Sequence, residues 1–298
     1  MTRVTAKLIR QARSISPYLP PLLPANRSIN QALLELKWIK CELPKNEWRK
    51  AVNKRLKWVP LQYILKTQPF GNLNILCKDG VLIPRWETEE WCMKLANLIK
   101  GLKLEKLSMI DACTGTGCIS LLINDELKST ATNLDIHGFD VSGKAYDLAK
   151  ENNEFHHLSV NFHLGDVFDE EILDKLQLTD VNLITSNPPY IPEEDYNKSV
   201  LLNGVSKSVK LHEPKLALVG NGEFYYNLLY NLVFPSSADG FVFELGYKEQ
   251  ADLVNEVAKL NGWRVGYMKD SAEKIRCVLG WKADGKFKSL KDLCSYVY

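Results

Sequence analysis

A short apolar run, Val181-Asn182-Leu183-Ile184, passes directly into Thr185-Ser186-Asn187-Pro188-Pro189-Tyr190. No other stretch limits the fold so tightly. Consecutive prolines lack a backbone N–H and fix φ, so neither a helix nor a sheet ladder continues through Pro188-Pro189. The residue ahead of a proline is pushed towards extended backbone, which leaves the side-chain amide and carbonyl of Asn187 open to other partners. The prolines also leave carbonyl oxygens that must find donors elsewhere. Two readings stand at this point. The stretch is a strand-ending turn, for which Asn and Pro are ordinary residues, or a rigid rim of acceptors beside an aromatic ring, suited to a flat NH₂ group.

A second apolar strand ends in a different kind of turn. Leu107-Ser108-Met109-Ile110-Asp111 is followed by Ala112-Cys113-Thr114-Gly115-Thr116-Gly117 and at once by the apolar run Cys118–Leu122. The two glycines let the backbone turn sharply and approach a ligand, and the helix behind them offers free N–H groups. The third glycine of the dinucleotide fingerprint is missing, which disfavours a nicotinamide dehydrogenase. One strand later the chain reaches Asp140, 140 − 117 = 23 residues after Gly117. A doubly wound sheet places there the carboxylate that accepts both ribose hydroxyls. Capping the helix expected over 144–152 is the competing role for Asp140 or Ser142. The next strand, Val160–Leu164, leads to Asp166 and Val167, an acid for an adenine amino group and an apolar surface for its ring.

Charge divides the chain. The whole carries +2, but residues 1–76 hold 14 Lys/Arg against 3 Asp/Glu, or +11, leaving 24 against 33, or −9, for the remainder. A basic front suits a polyanionic partner, an acidic protein surface, or only solvated helix faces. Its first 16 residues carry Arg3, Lys7, Arg10 and Arg13 among Val4, Leu8, Ile9 and Ala12, and the first acid of the chain is Glu35. That is the composition of a mitochondrial presequence, and it equally fits an ordinary amphipathic helix. The expected location is the mitochondrial matrix, with the cytoplasm as the alternative. Seven cysteines without paired spacing fit free thiols, and neither they nor the five histidines are spaced as metal ligands. No window is long and apolar enough for a membrane span.

The remaining elements follow from periodicity. Helices are expected over 29–41 and 47–58, with Asn46 a cap for the second, and alternation over 70–76 ends in the turn Lys78-Asp79-Gly80. In Val81-Leu82-Ile83-Pro84-Arg85-Trp86-Glu87-Thr88-Glu89, Thr88 is a candidate cap and Arg85 and Glu87 a candidate ion pair. Residues 191–210 read as a long irregular loop. A helix over 224–233, a strand over 240–245, a helix over 250–260 and a hairpin over 263–281 close the chain. The expected division is a basic helical domain over 1–66, a linker or hairpin over 67–80, and an α/β domain over 81–298.

These sites lie in order at the ends of successive strands, and together they resemble the seven-stranded S-adenosylmethionine-dependent methyltransferases. The likeness is closer to the release-factor glutamine methyltransferases (the HemK/PrmC family). Its signatures are Pro60-Leu61-Gln62-Tyr63-Ile64-Leu65 with Phe70-Gly71, Val81–Glu89, Asn187–Ile191-Pro192, and His212-Glu213-Pro214-Lys215-Leu216-Ala217-Leu218. The resemblance covers roughly residues 29–281. It implies a doubly wound, Rossmann-like sheet of seven strands behind a small helical domain. It implies S-adenosyl-L-methionine held by Cys113, Thr114, Gly115, Thr116, Gly117, Asp140, Val167 and Asn187, and no metal. It implies methyl transfer to the amide nitrogen of a GGQ-type glutamine in a peptide chain release factor. Asn187, Pro188 and Tyr190 would carry the reaction, with Pro189, Arg85, Glu87 and Thr88 completing the substrate side. Nucleic acid is not the expected substrate; an adenine-amino DNA or RNA methyltransferase is the alternative, since a flipped base needs the same acceptors. Three departures stand out: Cys113 and Lys66 occupy positions where the family usually has Gly, and residues 282–298 have no counterpart.

Overall fold

A computed structural model describes residues 3–130, 132–178, 180–200 and 204–298. The chain begins with helices α1 (Ala6–Ile15), α2 (Leu23–Asn26), α3 (Ile29–Glu42), α4 (Trp48–Leu56) and α5 (Leu61–Leu65). These enclose their own apolar cluster, built on Ala12, Leu19, Leu22, Leu36, Ile39 and Val52. The α3 periodicity is only partly spent on it: Ala32, Leu36 and Ile39 are buried, while Leu33, Leu34 and Trp38 face outward. Glu47, not Asn46, is the N-cap residue of α4, and its side chain makes no capping bond. In α1, Thr5 caps the first turn and the buried Ala12 anchors the helix, so the basic start of the chain is part of this cluster. After α5, Lys66 takes a left-handed φ of 71°, which turns the chain into the hairpin β1 (Thr67–Phe70) and β2 (Leu73–Leu76).

The α/β body follows with α6 (Trp86–Leu102), β3 (Lys106–Ala112), α7 (Cys118–Leu127), β4 (Asn133–Asp140), α8 (Gly143–Phe155), β5 (Val160–Leu164), α9 (Ile172–Leu176) and β6 (Leu183–Ser186). β3 is buried at every residue after Lys106, as a parallel strand covered on both faces must be. α7 is buried on nearly all sides from Cys118 to Asn124, which is why its opening residues read as a mostly apolar run and not a stripe. β3, β4, β5, β6 and β7 (Gly240–Glu244) pair in parallel, and β9 (Ile275–Trp281) joins β7 antiparallel beside β8 (Arg264–Lys269). α13 (Lys248–Leu260) packs behind them.

The sheet has eight strands, not seven. The extra one is β10 (Tyr296–Val297), supplied by the tail and paired antiparallel to β8. Phe287 and Leu290 of the tail are fully buried in the main core and hold it there. The expected loop over 191–210 is also more ordered than its composition suggests. It contains α10 (Glu193–Asn197) and the start of α11 (Lys207–His212), while 201–203 lie outside the described residues. The expected helix over 224–233 is α12 (Glu223–Asn227) running into a π-helix over Leu228–Val233.

Strand order β5-β4-β3-β6-β7 puts the topological switch between β3 and β6. The chain leaves β3 in one direction and returns to pair β6 on its other side, with Ala112 opposite Ser186. Both strands then end at the same place, so the Cys113–Gly117 turn and Asn187 open onto one crevice, where such sheets bind ligands.

Candidate active site

That crevice is a cleft with about 920 Å³ of empty volume, including the solvent at its mouth. Cys113, Gly115, Asp140, Val167, Asn187 and Pro189 all line it, with Val81, Leu82, Phe139, Val141 and Asp166 completing its walls. Asp140 sits at the end of β4. Its Oδ2 accepts from the Gly115 N–H at 2.9 Å and its Oδ1 from the Ser142 N–H at 2.9 Å. Ser142 is the N-cap of α8, accepting from Ala145, so the capping role falls to the serine and Asp140 remains directed at the cleft. Burial pushes the Asp140 carboxyl above its ordinary range, and the backbone donors pull it back.

The glycine turn is braced from below. Asp111, fully buried, accepts from Thr114 Oγ1 at 2.7 Å, Ser120 Oγ at 3.3 Å and Thr185 Oγ1 at 2.8 Å. One carboxylate therefore ties the turn after β3, the first turn of α7 and the end of β6 together. Burial pushes its pKa up to about 6 despite those hydroxyls. Thr114 thus faces Asp111, the Thr116 carbonyl accepts from Asn152, and Gly117 starts α7, its φ of 80° against the Phe162 ring. These three shape the turn but do not line the cleft. Cys113 does, with a φ of 57° that explains why glycine is usual there.

A second cleft also reaches Asn187. Leu82, Arg85, Tyr190, Ile191, Ser206, Val209 and Leu218 line it, and it shares Leu82, Asn187 and Ala217 with the first. Asn187 therefore stands at the junction of two clefts. Pro188 is buried and lines neither; Pro189 packs so closely on Gly220 that a Cβ there would meet the Pro189 oxygen at 2.0 Å. Gln250 Nε2 donates to the Tyr190 carbonyl at 2.9 Å, tying the end of the motif to α13.

Three carboxylates that the sequence did not single out hold this side. Glu213 Oε2 accepts from the Ile83 N–H at 3.1 Å and from Arg85 at 2.7 Å. Arg85 therefore pairs with Glu213, not with Glu87, which lies 3.8 Å from Arg276 and lines neither cleft. Glu244, at the end of β7, accepts from Thr88 Oγ1 at 2.7 Å, Trp91 Nε1 at 2.8 Å and Tyr190 Oη at 3.3 Å. Thr88 is not a cap: α6 has already begun at Trp86, and the hydroxyl is buried against Glu244. Asp111 is the third. A glutamate or aspartate directly after an apolar strand was the available signal for Glu244, as it was for Asp140.

A family model described as a methyltransferase domain matches residues 103–229. The mitochondrial MRF1 N(5)-glutamine methyltransferase MTQ1 of Saccharomyces cerevisiae is 40% identical, across 98% of this chain and 93% of its own length. The release factor glutamine methyltransferase of Bacillus anthracis is 34% identical across 68% of this chain and 69% of its own. This chain belongs to the release factor glutamine methyltransferase family. A second family member, the probable MRF1 mitochondrial N(5)-glutamine methyltransferase mtq1 of Schizosaccharomyces pombe, is 36% identical across 90% of this chain and 94% of its own. Among solved structures, the hMettl16 catalytic domain in complex with an RNA hairpin superposes with a TM-score of 0.54 at 19% identity, over 79% of this chain and 82% of that one. The N-terminal domain of human METTL16 in complex with SAH gives 0.51 at 19% identity, over 78% and 83%. At that identity the likeness is one of fold.

The cleft fits an adenosine-bearing cofactor. Asp140 keeps lone pairs beyond those taken by Gly115 and Ser142, enough for two hydroxyls. Val141, Val167 and Phe139 offer apolar faces, and Asp166 adds a carboxylate at the same wall. Among the described residues no group of His, Cys, Asp and Glu could hold a metal ion.

Proposed function

We propose that this site transfers the methyl group of S-adenosylmethionine to the side-chain amide nitrogen of a glutamine in a peptide chain release factor. The observation that carries this reading is the position of Asn187 between the two clefts. The first cleft would hold the cofactor, with Asp140 on its ribose, Val167 on its adenine and Cys113 and Gly115 along its chain. Bound there, the cofactor supplies an electrophilic methyl group on a sulfonium. The second cleft, walled by Leu82, Ile191, Val209 and Leu218, suits the aliphatic stem of a glutamine.

An amide nitrogen is a weak nucleophile because its lone pair is delocalised into the carbonyl. Accepting its N–H bonds on the Asn187 oxygen, at the junction of the clefts, fixes the nitrogen and raises its electron density; the Pro188 ring is buried away from both clefts, so its part is limited to the backbone carbonyl as second acceptor. Catalysis on this scheme is mainly orientation and fixed dipoles, with no side-chain base required. Tyr190, held by Glu244 and Gln250, packs against the glutamine carboxamide. Arg85 lines the substrate side, while Thr88 stands behind Asn187 and Glu87 faces Arg276 away from both clefts.

The basic helices supply the docking surface. Among the described residues before the hairpin, Arg55 with Glu35 is the one ion pair, so the other cations there are unneutralised. Arg49, Lys50, Lys54 and Lys57 line a shallow groove along α4, suited to an acidic face of the release factor. The acid-free basic start and the mitochondrial names of both yeast relatives support a place in the mitochondrial matrix. No described helix is long and apolar enough to cross a membrane.

The test offers tritiated cofactor with release factor and with nucleic acid in separate reactions. Label is expected in the release factor alone. Label in the nucleic acid alone overturns the reading in favour of a flipped adenine.

A further inference from the structure

We propose that Glu244 is a positioning residue for methyl transfer: through the Thr88 hydroxyl, it fixes which end of the Asn187 amide faces the substrate. This rests on reading Asn187 as the acceptor of the glutamine NH₂ group.

The available protons decide the orientation of the Asn187 amide. An ionised carboxylate only accepts. Glu244 is buried at the end of β7, and its Oε2 takes protons from Thr88 Oγ1 at 2.7 Å and Trp91 Nε1 at 2.8 Å. Thr88 has one proton, and it is committed to Glu244. What remains on Thr88 Oγ1 is lone pairs, and the atom facing them at 3.5 Å is Asn187 Nδ2. Rotating the Asn187 amide by half a turn would set oxygen against oxygen. The polarity of the chain Asn187 → Thr88 → Glu244 therefore turns Oδ1 away from Thr88 and leaves it free to accept from the substrate. Without that bias an amide presents NH₂ as readily as oxygen, and NH₂ repels the very group to be held.

Glu244 fixes the neighbouring acceptor wall as well. Its Oε1 receives Tyr190 Oη at 3.3 Å, and its backbone carbonyl receives Tyr225 Oη at 3.0 Å. Thr88 and Glu244 are 156 residues apart in sequence, and Asn187 lies 99 from Thr88, so no local folding rule demands this arrangement. Nor is it cheap: a carboxylate withdrawn from water costs several kcal/mol before its bonds are counted. Burial pushes the Glu244 carboxyl above its ordinary range, and the Trp91 and Thr88 donors and the charge of Arg276, itself bonded to Asp270 at 2.9 Å, pull it back towards the ionised form.

Three variants test it: Thr88→Ser, which keeps the hydroxyl; Thr88→Val, which keeps the shape and loses it; and Glu244→Gln, which keeps the size and loses the charge. Thr88→Val and Glu244→Gln are expected to lower kcat on release factor about 10- to 100-fold, roughly the loss of one oriented hydrogen bond in a transition state. Cofactor Kd should stay near wild type and unfolding should remain cooperative, at a lower midpoint where a buried bond is lost, and Thr88→Ser should stay within about threefold of wild-type kcat. The side-chain ¹⁵NH₂ resonances of Asn187 should shift in Thr88→Val and not in Thr88→Ser. Equal kcat for Thr88→Val and Thr88→Ser overturns the proposal. So does a fall in kcat that is matched by loss of cofactor affinity and of folding, because that is a packing effect. If wild-type protein methylates no glutamine, the functional reading fails, while the resonances still report on the orientation of Asn187.

Discussion

The backbone N–H of Gly115 donates to Asp140 Oδ2 at 2.9 Å, tying the turn after β3 to the end of β4. The same carboxylate orders the cleft and faces the cofactor's hydroxyls, so both functions fail together in Asp140→Ala. Hydrogen bonds to a charged group contribute about 1.5–3 kcal/mol, and cofactor affinity is expected to fall by about 10- to 100-fold. Calorimetric titration with S-adenosylmethionine reads this directly, and an unchanged Kd would contradict the assignment.

Asp111 predicts a pH dependence of stability. Its folded pKa, near 6, lies above the roughly 3.9 of an unfolded aspartate. Between those values the native state binds the extra proton, so this group's contribution falls as the pH rises from about 4 to 6. Asparagine at 111 does not titrate. The stability of Asp111→Asn relative to wild type should therefore improve across that window, as followed by denaturant unfolding at each pH. A pH-independent difference would show that Asp111 is ionised throughout.

Lys66 is exposed and carries a left-handed φ of 71°, with its carbonyl receiving the Cys77 N–H. That backbone costs a side-chain-bearing residue roughly 1–2 kcal/mol, part of which glycine gives back through its freer unfolded chain. Lys66→Gly is expected to stabilise the protein by about 0.5–1 kcal/mol, measurable as a higher denaturant midpoint. A lower midpoint would mean that the lysine side chain contributes something at this turn.

How much of this was legible beforehand depends on distance along the chain. The glycine turn, Asp140 and Asn187 are set by strand–turn–helix signals a few residues long, and all three appear where the sequence puts them. Glu244, Glu213 and Asp111 acquire their roles from partners 156, 128 and 74 residues away; an acid at a strand end flags Glu244 and Asp111 as candidates without showing what they hold. Thr88 shows the same limit, since its spacing suits a cap and its real partner is on another strand. The helices inside 191–210 did carry local signals: Pro192 followed by Glu193, Glu194 and Asp195, and Ser206 as a cap accepting from Val209. The eighth strand rests on Phe287 and Leu290, whose burial is decided by packing on Gly240 of the interior strand β7.

The unneutralised cations of α4 bear on substrate docking. If they meet an acidic face, KM for intact release factor should rise steeply with salt, while kcat stays nearly constant. Combined Arg49→Glu, Lys50→Glu and Lys54→Glu should raise KM at low salt by about tenfold or more and flatten the salt dependence. Steady-state kinetics at several ionic strengths check this. An unaltered KM would leave these cations as solvated surface.

Asn187 is where the account is most exposed. Release factor incubated with cofactor and either wild-type protein or Asn187→Ala can be digested and weighed by mass spectrometry, with cofactor affinity measured on the same samples. The expected result is a methylated glutamine peptide with wild type, none with Asn187→Ala, and cofactor binding retained in both. Methylation by Asn187→Ala at the wild-type rate would contradict it.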